Sequence, residues 1–104
     1  VVGAPLRAVY AAAKGAANQF TRTFAAEWAS YGITVNAIAP TFTRTPMLES
    51  AVKNPEFRKN LEKVPLGRLA EPEEVAAAVV YLASDAAAMV TGQILCVDGG
   101  FTAV

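Results

Sequence analysis

A chain of 104 residues that is 54% hydrophobic has enough apolar material to bury a core and is not disordered. Nine basic and nine acidic residues cancel to zero with no basic block, which sets nucleic acid aside as a partner. Histidine is absent and Cys96 is the one cysteine, so an internal disulfide, a His/Cys zinc site or other metal centre of that kind, and a His-based triad are excluded. Any chemistry must run through Tyr, Lys, Ser/Thr, Asn or carboxylates.

In chain order, Ala13, Ala17, Phe20, Phe24, Trp28 and Tyr31 recur at intervals of four and three, which predicts a long helix over about 9–31. That series is its expected buried face, with Phe20, Phe24 and Trp28 as core, and Gly32 is its stop. The run "ITVNAIAP" is β-branched and apolar on both faces, which predicts a central parallel strand over about 33–39, with Asn36 bonding neighbouring backbone. Residues 40–70 form too long a connection for a simple loop; they suit a lid or binding segment, with a weak helix over Pro55–Glu62. Pro72, Glu73 and Glu74 then open a helix over about 72–84. "GQILCVDGG" closes as a strand over about 93–98, with Cys96 an inert buried thiol and Asp98-Gly99-Gly100 a turn.

Helix, strand, lid, helix and strand make half of an α/β layered domain, and two strands apolar on both faces need further strands beside them. The chain starts at Val1 rather than Met and holds no Gly-rich phosphate loop, so it is expected to be a piece of a single larger domain with the missing strands upstream. Charge and proline interrupt every apolar run well short of a membrane span, and no leader pattern precedes them, so the expectation is a soluble, cytoplasmic chain with no membrane partner.

Tyr10 and Lys14 stand four apart beside the apolar stripe of the first helix. Many helix edges carry such a pair for no chemical reason. Its chemical use is that residues i and i+4 lie one above the other, and an ammonium near a phenol favours the phenolate. A group with an ordinary pKa of about 10 is thereby moved toward one that shuttles protons at neutral pH.

"YAAAK" at 10–14, followed by "ITVNAIAPTFTRTPM" and "VTGQILCVDGG", resembles the C-terminal part of a short-chain dehydrogenase/reductase over essentially the whole chain. The resemblance implies the C-terminal half of a Rossmann-type doubly wound parallel-sheet domain and an NAD or NADP cofactor. It implies that Tyr10 is the general acid and base, and that Lys14 lowers its pKa and bonds the nicotinamide ribose, so that both touch the cofactor. Pro40 would end the strand under the nicotinamide, Thr43 would meet its carboxamide through backbone, and Thr45 through its hydroxyl. Thr41 departs from the family's usual glycine, and a β-branched residue tolerates positive φ poorly. The family's serine, thirteen residues before the tyrosine, and its phosphate-binding turn fall before Val1.

The implied reaction interconverts a small-molecule secondary alcohol and ketone, with wording closest to sugar-acid and polyol dehydrogenases of the gluconate 5-dehydrogenase type. A 3-oxoacyl carrier-protein reductase is the alternative. Met47 and Leu48 fit a substrate lid, and Arg7 and Arg44 are candidate contacts for an anionic substrate. The family assembles as homodimers or homotetramers, and a non-catalytic assembly module is the reading from a different class.

Overall fold

The computed structural model describes residues 5–103, and the side chains of residues 12–103. They fall into two compact units, Val1–Ala37 with Ala88–Ile94, and Ile38–Ala87 with Leu95–Val104.

The first unit is built on α1, Pro5–Trp28, which passes through a 3-10 turn, Ala29–Tyr31, into Gly32. Gly32 takes φ 74°, and its N–H donates to the Ala29 carbonyl at 3.0 Å, which ends the helix where only glycine adopts the left-handed turn without strain. The buried stripe is Thr21 and Ala25, 8% and 4% exposed, and not the aromatic series. Phe20, Phe24 and Trp28 stay 58%, 36% and 39% exposed and stack on one another, with centroids 5.9 and 4.7 Å apart. On the buried side Ala25 lies against Gly92, where a β-carbon would stand 3.4 Å from Ala25 Cβ. The aromatic row is therefore an outward face of this chain.

The expected strand over 33–39 is shorter and later, β1 at Ala37–Pro40. Ile33 is exposed, and Val35 and Asn36 precede the strand, held by side-chain bonds and by the Gly92 N–H, which donates to the Val35 carbonyl at 2.8 Å. Val35 N–H donates to Thr91 Oγ1 at 3.0 Å. The Asn36 amide donates to the Val90 carbonyl at 2.9 Å and accepts from Gln93 N–H at 3.1 Å, the structural role expected of it. β2, Ile94–Val97, is the neighbour of β1 in a two-stranded sheet. Ala37 N–H bonds the Gln93 carbonyl and Thr41 N–H bonds that of Val97, an equal advance on both strands that makes the pair parallel.

In the second unit three helices each start on proline after a residue with extended backbone: α2, Pro46–Ala51, after Thr45; α3, Pro55–Glu62, after Asn54; α4, Pro72–Leu82, after Glu71. Proline's fixed φ suits the first helical position, where its missing N–H costs nothing. α3 matches the sequence expectation, and α4 stops two residues short of it. α2 was not expected, although Thr45-Pro46 followed by Glu49 is a helix-start pattern. Val64, Leu69 and Ala87 are buried here, and Phe42 meets Phe57 edge-on at 5.2 Å. β2 is the edge of the described sheet, so Cys96 is exposed rather than buried as expected.

Candidate active site

α1 carries Tyr10 and Lys14 one helical turn apart, the backbone spacing that the pair requires. The side chains of Tyr10 and Arg7 lie outside the described ones; that of Lys14 is exposed. These residues belong to the first unit, and Pro40, Thr43 and Thr45 belong to the second.

Pro40 ends β1, and Thr41 N–H still donates to Val97 at 3.2 Å. Among the described residues no residue other than glycine has positive φ, so Thr41 follows an ordinary path where the family uses glycine. Beyond it Thr43 forms a parallel bridge with Ala70, in which Ala70 N–H donates to the Phe42 carbonyl at 2.8 Å and Arg44 N–H to the Ala70 carbonyl at 2.7 Å. In that register the bonds to Ala70 come from the neighbours of Thr43, and Thr43's own N–H and C=O point the other way. The Thr43 hydroxyl donates to the Thr41 carbonyl at 2.9 Å, which leaves the peptide as the group this residue presents. Thr45 Oγ1 accepts from Leu48 N–H at 3.2 Å and caps α2; a hydroxyl used as an acceptor keeps a proton to donate. Loop and helix start are thus one arrangement of polar groups, which fits the carboxamide of a nicotinamide.

Arg44 is committed to protein carboxylates. Its Nε donates to both Glu71 oxygens, at 2.9 and 3.1 Å, and its Nη1 lies 3.5 Å from Glu49 Oε1. The Glu71 hydrogen bonds, with the attraction of its charge, raise the Arg44 pKa above its already high value. Through Nε and Nη1 the guanidinium thus has an internal role, with its side chain still 40% exposed. Arg68 grips Glu74 with two bonds of 2.8 Å, and Glu74 also accepts from Glu71 N–H. The Arg68 hydrogen bond first, and the Glu71 amide second, hold the Glu74 carboxyl down at about 2.

A cavity of about 540 Å³ in the second unit is lined by Thr41, Leu66, Arg68, Cys96 and Asp98 among others, and Thr41 is its link to the loop. Sequence reading missed Arg68 and Glu74 as a pair; "GRLAEPEE" offered the charges, but only the turn at Glu71 brings them together. Asp98 is buried and accepts from Gly100 N–H, Thr102 N–H and the Thr102 hydroxyl, the last of which is the main cause of its lowered pKa. Among the described residues no cluster of His, Cys, Asp or Glu is placed to hold a metal, and no helix is long and apolar enough to cross a membrane.

A family model described as enoyl-(acyl carrier protein) reductase matches residues 1–102. A tropinone reductase homolog from Datura stramonium is 47% identical over 106 residues, covering 98% of this chain and 40% of the relative. The galactitol 2-dehydrogenase (L-tagatose-forming) of Cereibacter sphaeroides is 52% identical over 94 residues, covering 89% and 37%. Among solved structures, a gluconate 5-dehydrogenase from Burkholderia cenocepacia in complex with NADP and tartrate superposes with a TM-score of 0.82 at 40% identity, covering 91% of this chain and 38% of that one. The chain spans about two fifths of the length of these relatives.

Proposed function

The chain belongs to the short-chain dehydrogenase/reductase family, and from that premise we propose that it carries the proton-transfer residues of an NAD(P)-dependent oxidoreductase interconverting a secondary alcohol and a ketone. One observation carries the reading: a Tyr–Lys pair one turn apart on α1, in a chain whose loop after β1 keeps the Thr43 peptide out of the Ala70 bridge bonds and uses the Thr45 hydroxyl as an acceptor. A bound nicotinamide supplies or accepts the hydride. Tyr10 gives its phenolic proton to the carbonyl oxygen in reduction and takes it back in oxidation, and the Lys14 ammonium favours the phenolate that each cycle produces. Lys14 would also donate to the cofactor's ribose hydroxyls, and Pro40, Thr43 and Thr45 would hold its nicotinamide, Thr43 through its peptide and Thr45 through its hydroxyl. Within each group the spacing matters, since misplacement of reacting atoms by about 1 Å costs on the order of a hundredfold in rate.

For the substrate we favour a sugar acid or polyol, in keeping with the galactitol and gluconate dehydrogenases among the relatives. The family description keeps acyl-carrier-protein thioesters as the alternative. An assay of the longer protein separates them: oxidation of polyols and sugar acids with NAD or NADP supports the first, and reduction of a 3-oxoacyl thioester without polyol turnover supports the second. No turnover of either class in a protein that binds NAD(P)H would remove both. The exposed aromatic row of α1 is assigned to a second copy of the chain in a homodimer or homotetramer, since a stacked row of apolar rings gains most from leaving water.

A further inference from the structure

Residues 45–69, with α2 and α3, lie within the second unit, where Val64 and Leu66 meet Gly99 and Phe57 meets Phe42, and their two ends come together between Arg44 and Ala70. Two backbone hydrogen bonds join them there, Arg44 N–H to Ala70 and Ala70 N–H to Phe42. Side chains tie the same two arms: Arg44 reaches forward to Glu49 on α2 and across to Glu71, which follows Ala70. From Glu71 the connection passes through its N–H to Glu74, from Glu74 to Arg68, and from Arg68 Nη1 to the Leu69 carbonyl at 3.1 Å. Glu49, Arg44, Glu71, Glu74 and Arg68 form one relay from the entering arm to the leaving arm. Gly67, at φ 70° with open space around it, bends the leaving arm by backbone conformation and not by packing.

We propose that Arg44 and Glu71 are a positioning pair that sets both how the two ends of the 45–69 segment meet and the aim of Thr43 and Thr45, a role that rests on the oxidoreductase reading above. Arg44 stands between the two threonines, so any swing of its backbone moves both. Its guanidinium meets Glu71 through one N–H shared by two oxygens and holds Glu49 with another nitrogen, a planar arrangement that fixes orientation as well as distance. With side chains 40% and 39% exposed, the Arg44–Glu71 pair contributes little as attraction in water and is weakened by salt. Its effect is geometric: it fixes how the two ends of the segment meet, while the Leu66–Gly99 hydrogen bond holds its far side.

The test uses the longer protein and two readouts, hydrogen exchange across residues 42–70 and steady-state kinetics. Arg44→Glu and Glu71→Arg should each speed exchange at Arg44 and Ala70 about fivefold, and should raise KM and lower kcat together, since the ends of the segment and the aim of Thr43 and Thr45 depend on the same pair; the double variant, which restores the pair in reverse, should recover most of both. Where a charge reversal does not fold, Arg44→Lys keeps the charge and loses the fork, and should give a smaller change of the same kind. Exchange unchanged in the single variants, or no recovery in the double, overturns the proposal. Exchange is read without substrate or cofactor, so a clasp that fails and an oxidoreductase reading that fails give different results.

Discussion

Gly99 lies so close to Val64 that a β-carbon on it would stand 2.7 Å from Val64 Cγ1. Val64 is 1% exposed, the most deeply buried large side chain described, and Leu66 N–H donates to the Gly99 carbonyl at 3.0 Å. The turn after β2 and the end of the 45–69 segment are therefore one packed joint. At φ 60°, Gly99 also takes a conformation that side chains disfavour.

Gly99→Ala accordingly meets two penalties, left-handed backbone and overpacking against Val64, and should lower stability by about 2–4 kcal/mol. Gly67→Ala meets only the first, because nothing lies within 4 Å of its added carbon, and should cost about 1 kcal/mol. Urea midpoints of the two variants check this; equal losses would mean that the contact with Val64 is not rigid.

Glu74 gives stability a pH dependence of known sign. Its folded pKa is depressed from 4.5 to about 2, so the unfolded carboxyl binds the proton first, and stability present above about pH 4.5 is lost as pH falls toward 2. Asp98 shifts in the same direction through Thr102 and its own turn. Glu74→Gln should flatten the acid limb of a stability–pH curve; an unchanged limb would show that the Arg68 pair does not persist in solution.

Tyr10→Phe in the longer protein should reduce kcat by about 10²–10⁴-fold with cofactor affinity nearly unchanged. Lys14→Met should reduce kcat and weaken cofactor binding together, since its two roles lie on one side chain. Stopped-flow hydride transfer and cofactor titration separate the two. Substantial turnover by the phenylalanine variant would take Tyr10 out of the acid/base role.

Phe20→Glu should leave folding stability within about 0.5 kcal/mol, because the ring is 58% exposed, yet lower the assembled mass measured by light scattering. Val64→Ala should do the reverse, costing about 1–3 kcal/mol while leaving the assembly intact. An unchanged mass for Phe20→Glu would put the interface elsewhere.

The sequence alone determined the elements governed by local rules. Helical period, a glycine stop and prolines at helix starts located α1, α3 and α4; a β-branched run and an apolar run located the strands; and the Tyr10–Lys14 spacing needed nothing beyond one helical turn. Where the reading failed, the deciding contact lay far along the chain. The strand began at Ala37 because Asn36 and Val35 are held by residues 90–93, and the face of α1 that meets Gly92 is that of Ala25 and not the aromatic row. Arg44 was one candidate contact for an anionic substrate, and the partner that the fold gives it, Glu71, stands 27 positions away in sequence. Periodicity reports that a helix has an apolar face and a motif reports which groups can react. Which face is covered, and which charge is already answered, depends on partners that only the tertiary structure brings within reach.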